Sequence, residues 1–157
     1  MFYGGVLWGV VIVAKNIKGV AKKQNKKVVQ PELNHDRETP VWCFDKVDIN
    51  GVFCFNPDAV DCNFLIRKFM ALNGMTWAKI KQMTHDDGKS KNHPLTYEGI
   101  SAEGKERIKI KGIEKEDYDA IFSIALTNTH RLIGLKEGRV FHVIWNDENH
   151  KFYPTQR

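Results

Sequence analysis

Apolar and polar residues change rhythm several times along the chain, and each rhythm predicts an element. Residues 41–56, "VWCFDKVDINGVFCFN", hold two runs of β-formers around Asn50-Gly51. Both turn residues tolerate positive φ, so the stretch predicts an N-terminal β-hairpin. In "NPDAVDCNFLIRKFMALNG", Val60, Phe64, Leu65, Phe69 and Leu72 recur at helical spacing and form one apolar face. Asn56 reads as the N-cap, Pro57 as the first helical residue, Asp58 and Asp61 as acids of the early turns, and Asn73-Gly74 as the stop. Thr76 caps a second short helix, "WAKIKQM". The pair admits a DNA-binding helix-turn-helix or the far commoner packed αα-hairpin.

Beyond it, "THDDGKSKNHPLTYEG" reads as a loop because Gly88, Pro94 and Gly99 interrupt regular structure. Ser101 caps a helix over residues 102–109, and a further helix is predicted over 114–125, with Tyr118, Ile121, Phe122 and Ala125 on one side. The remainder predicts strands: "THRLIGL", a turn at Glu137-Gly138, "RVFHVIW", a break at Asn146-Asp147 and a short "KFY". The predicted class is α+β, with a hairpin, two to four helices and a C-terminal antiparallel meander.

Strand parity places Val140, His142, Ile144 and Asn146 on one face and Phe141, Val143 and Trp145 on the other, taken as the core face. A three-residue connection with Gly138 in a bulge brings Ile133 and Leu135 to that face and sets His130 beside His142. A two-residue turn instead places Arg131 diagonally next to His142. Both registers stay open.

Length and charge narrow the picture. The 157 residues suit one core, predicted to begin near Val41 after a polar, lysine-rich stretch ending in "PELNHDRETP". The formal charge of +5 belongs to that stretch: Lys15, Lys18, Lys22, Lys23, Lys26 and Lys27 precede the first acid, Glu32. Removing these six from 24 basic residues leaves 18 against 19 acids. The domain itself is near neutral, and a nucleic-acid reading must rest on a local patch. Ahead of the lysines, "MFYGGVLWGVVIVA" carries no charge but is short of the ~20 apolar residues of a membrane span and lacks the basic start and small-residue cleavage site of a secretory signal. Three readings of residues 1–19 follow: an extension upstream of a true start at Val20, a segment packed on the domain, or a membrane contact by residues 2–14. Cys43, Cys54 and Cys62 are odd in number without CxxC spacing, which fits reduced thiols in a cytoplasmic protein and no zinc knuckle.

The C-terminal part carries a resemblance. "HRLIGLKEGRVFHVIWNDENHKFY" is similar to the closing strands of the RelE/ParE toxin superfamily, small α+β proteins. Arg131, Gly138, His150-Lys151 and Tyr153 stand in similar places, and "IFSIAL" resembles the strand before them. The resemblance covers about residues 100–157. In its RelE branch it implies ribosome-dependent mRNA cleavage by 2′-hydroxyl attack, without a small-molecule cofactor or metal, and partners such as RNA, the ribosome or a cognate antitoxin. Such chemistry needs a general base, a general acid and cations at the phosphorane. The resemblance implies Arg131 on phosphate, His150 or Tyr153 in proton transfer and Lys151 in electrostatic support. His142 joins the catalytic candidates, and His130, Lys89 and Lys91 the substrate-binding ones. The chain departs from the pattern in its Lys151, its Asp147-Glu148 and its near-neutral domain; the ParE branch, which poisons gyrase, fits equally.

Each candidate has a plainer reading. His142 is also a half-buried strand histidine, and His150 after Asp147 is also turn chemistry. His85, Asp86, Asp87 and His93 are metal-capable types at a spacing that matches no ligand pattern. Lys89, Lys91 and His93 form either a solvated loop or a lid facing phosphate. The alternative function is a non-catalytic protein-interaction module of phage, plasmid or bacterial origin.

Overall fold

A computed structural model describes residues 34–56 and 58–154, which belong to one compact unit, Glu32–Arg157. The three readings of residues 1–19, the lysine run and the role of Pro57 lie outside the described residues. Within them no helix is long and apolar enough to cross a membrane.

The sheet has five strands: β1 (Val41–Cys43), β2 (His93–Pro94), β3 (Ile121–Ala125), β4 (Arg131–Glu137) and β5 (Val140–Asp147). Their order is β1-β5-β4-β3-β2, antiparallel except where β1 runs parallel to β5. Three α-helices are described: α1 (Cys62–Asn73), α2 (Trp77–Gln82) and α3 (Ala102–Ile110). The α+β class and the meander are therefore observed, as are the Thr76 and Ser101 caps, whose side chains accept from Lys79 N and Gly104 N.

Both faces of the sheet are covered. Leu65, Leu72, Trp77 and Ile80 of α1 and α2 pack with Phe122, Ile124, Leu132, Phe141 and Val143. Ile100 and Ile108 pack with Phe53, Leu95 and Phe152 against Ile121, Ile133, Leu135, Ile144 and Trp145. A strand buried on both faces reads as a continuous apolar run, which corrects two expectations. Residues 114–125 are helical only in part: a 3-10 helix covers Lys115–Ala120, and Ile121–Ala125 is β3, because a short apolar run has no helix-specific period. The assignment of a single core face to β5 also falls.

The register explains the rest. Glu137 pairs with Val140, so Gly138-Arg139 is a two-residue turn with Gly138 at φ +57°. Further along, Ile133 faces Trp145 while Gly134 faces Val143, leaving Ile144 as an extra residue. This bulge moves Trp145 to the opposite side from Phe141 and Val143. Gly134 permits the approach, since a Cβ there would run into the carbonyl oxygen of His142. Arg131 pairs with Asp147 and His142 with Leu135, so four residues, roughly 13 Å of strand, separate Arg131 from the His142 level. Neither anticipated neighbour of His142 is beside it.

The hairpin at Asn50-Gly51 does not form. Its two β-rich runs both lie against β5: Cys43 pairs with His142, Asp48 N donates to Ile144 O at 2.8 Å, and Asn146 N donates to Phe53 O at 3.0 Å. Asp48 anchors this path. It is 3% exposed, accepts from Arg107 Nε and Nη2 at 2.7–3.0 Å and takes the Trp145 indole N–H at 2.9 Å. Helix α1 starts at Cys62, with Asp61 as the N-cap accepting from Phe64 N, while Asn56 closes a separate turn by accepting from Asp58 N. β5 runs through the predicted break, and "KFY" is not a strand because Asp147 captures that backbone, accepting from Lys151 N and Phe152 N.

Candidate functional site

The pairing of Arg131 with Asp147 fixes one end of the sheet, and two loops close over it. On one side the chain leaves β5 through Glu148 and Asn149 and reaches His150 at φ +55°, a left-handed conformation uncommon outside glycine. The two bonds to Asp147 and the burial of Phe152 beside Trp145 hold this turn in place. On the other side is the loop after α2. A bridge between Thr84 and Ser90 ties its base, His85 N donates to Lys89 O, and Gly88 turns it at φ +79°. Asn92, 1% exposed, pins the loop by donating to Ile80 O and accepting from Ala125 N, both at 2.8 Å.

Between the loops lies a cleft of about 620 Å³, lined by His85, Asp86, Asp87, Lys89, Ser90, Lys91, His93, Asn128 and His150. Arg131 stands behind its wall. Its guanidinium donates from Nη1 to Lys91 O at 2.8 Å, and Nη2 lies 3.4 Å from His85 Nε2. Among the described residues its Nε is the buried side-chain polar atom without a hydrogen bond. Burial pushes the Arg131 pKa down, and Asp147 opposes this. Burial and then the Arg131 charge hold the His150 imidazole below its ordinary value; Asp147 pulls the other way, and His93 and His85 add to the depression. A neutral imidazole is the form that accepts a proton. The Asp87 carboxyl is held low by the Lys89 backbone N–H and then by the Lys89 ammonium at 3.2 Å.

Of the predicted residues, Lys89, Lys91 and His150 line the cleft and Arg131 backs it. Tyr153 does not line the cleft; its ring is edge-on to His93 and its hydroxyl lies 3.1 Å from Thr96 Oγ1. Three candidates are elsewhere. His130 stacks on Phe64 of α1 and bonds to Asn146 Oδ1, an arrangement that serves packing. His142 is bound to Asp45. Lys151 lines a different concavity with Val52 and Glu148. His85 and His93 enter the cleft without having been assigned catalytic roles; their position on the loop carrying Lys89 and Lys91 was the available signal. The His85–His93 loop does not gather its ligand types: among the described residues, the cluster close enough to share an ion is Cys43, Asp45 and His142.

No family model, curated protein or solved structure matches this chain. The chemistry must therefore be read from the cleft. Three imidazoles and two ammonium groups around one opening, with a guanidinium behind, suit proton transfer and an anion held by Lys91, while the carboxylates of Asp86 and Asp87 share the opening and Asp87 is paired with Lys89.

Proposed function

We propose that the cleft binds an RNA phosphodiester and that the protein is a RelE-like endoribonuclease. The supporting observation is the convergence of His85, His93 and His150 with Lys89 and Lys91 on one cleft, with His150 held toward its neutral form. In this reaction His150 takes the proton of the 2′-hydroxyl. The 2′-oxygen forms a bond to phosphorus, and the bond to the 5′-oxygen breaks. His93 or His85 supplies a proton to the departing oxygen, and Lys91 offsets phosphorane charge. The products are a 2′,3′-cyclic phosphate and a 5′-hydroxyl. Arg131, behind the wall, is a positioning residue on this reading.

The test is incubation of the full chain with RNA, with and without bacterial ribosomes, and growth on induced expression. Wild type is expected to generate 2′,3′-cyclic ends and arrest growth, and His150→Asn to lose about 10²-fold or more of the rate. Asparagine tolerates the left-handed backbone, so this variant removes the base with the turn retained. Intact RNA and normal growth with folded wild type would sink the proposal. The second reading, a non-catalytic protein-interaction module, draws support from the near-neutral domain and from exposed Phe44, Ile49, Val52, Ile66 and Met70.

A further inference from the structure

A second group of reactive side chains meets far along β5 from the cleft. Cys43 ends β1 and His142 is its direct partner in the parallel ladder, while Asp45 follows in the turn after β1. Asp45 Oδ1 lies 3.1 Å from Cys43 Sγ and 2.8 Å from His142 Nδ1, and the three candidate ligand atoms all fall within 4.8 Å of one another. Around a tetrahedral zinc-class ion such atoms stand roughly 3.4–3.6 Å apart. Asp45, exposed on its turn, would swing outward, and Cys43 Sγ and His142 Nδ1, which lie within 4.8 Å of each other, would draw together around the ion.

An independent observation points the same way. The other ring nitrogen of His142, Nε2, lies 3.6 Å from Glu137 Oε2, longer than a hydrogen bond, while Glu137 Oε1 faces Lys46 Nζ at 3.5 Å. Drawn in by a few tenths of an ångström, that carboxylate would accept from Nε2, and a carboxylate behind the far nitrogen of a ligating histidine fixes its tautomer and raises its basicity, the usual support of a metal-bound imidazole. We propose that Cys43, Asp45 and His142 bind a divalent ion of the zinc class, with Glu137 as a positioning residue. The thiolate and carboxylate together balance the charge of the ion, and three protein ligands leave a fourth position to water. Binding displaces the Cys43 thiol proton and any proton on His142 Nδ1, so affinity rises with pH. No sequence pattern announces the set, because 97 residues separate Asp45 from His142.

The experiment is titration of the metal-stripped full chain with Co²⁺ alone, followed by Zn²⁺ competition. One equivalent is expected to give thiolate-to-cobalt absorption with the visible bands of a four-coordinate ion, and Zn²⁺ to abolish both. Cys43→Ser should remove the thiolate band. Asp45→Asn, at an exposed turn position, and Glu137→Gln should each weaken affinity about tenfold or more at unchanged melting temperature. Cys54→Ser and Cys62→Ser should change nothing. Absence of a thiolate band in wild type would overturn the proposal. So would a band that survives Cys43→Ser, or one lost with Cys54→Ser, Cys62→Ser or His85→Ala.

Discussion

His150 joins two properties in one residue: a left-handed backbone and a depressed pKa. A base whose folded pKa lies below its unfolded value binds protons more weakly when folded, so its contribution to stability is intact above about pH 6.5 and is lost as pH falls toward the folded value. The melting temperature is therefore expected to drop from about pH 7.5 to about pH 5.5. Melting curves of His150→Asn should show a smaller drop; an equal one would assign the acid sensitivity to other groups. Asp48 is the other decisive residue. Arg107→Ala would leave a carboxylate that is 3% exposed without its cation, at a cost of about 3–5 kcal/mol in urea unfolding. A loss under about 1 kcal/mol would mean that the Trp145 indole alone satisfies Asp48. Neither residue revealed its partner in the sequence: Asp48 and Arg107 are 59 positions apart.

At the scale of elements, local signals worked where the element depends on its own residues. Thr76 and Ser101 start their helices because a side-chain oxygen and a nearby N–H suffice. Where two local signals competed for α1, Asp61 prevailed over Asn56, and Asp61→Ala should cost about 1 kcal/mol. The β4–β5 bulge depends on Gly134. Gly134→Ala should lower the denaturation midpoint by the equivalent of about 2 kcal/mol or more, since the clash is with backbone. A neutral result would show that the strands can move to a bulge-free register. β3 resembles a helix in sequence for the complementary reason: its period is hidden by burial on both faces.

For the whole molecule, the distribution of charge makes a prediction about binding. If Lys89 and Lys91 are the main phosphate contacts, the affinity of the full chain for single-stranded RNA should fall with salt at a slope of about −1.4 in log–log terms. Lys89→Ala with Lys91→Ala should remove most of it. A steep slope untouched by both substitutions would place binding in the lysine-rich stretch at residues 15–27 instead.

What the sequence determined by itself was the α+β class, two strands read at 129–135 and 139–145 and found at 131–137 and 140–147, the tight Gly138 turn as one of two options, and the capped starts of α2 and α3. These follow from interactions a few residues long. Tertiary structure alone brought His85 and His93 to His150, separated His130, His142 and Lys151 from them, and set Cys43 beside His142. Those outcomes depend on a parallel pairing, one bulged residue and a buried ion pair between segments distant in the chain, and a one-residue change of register is enough to send a strand's side chains to the opposite face.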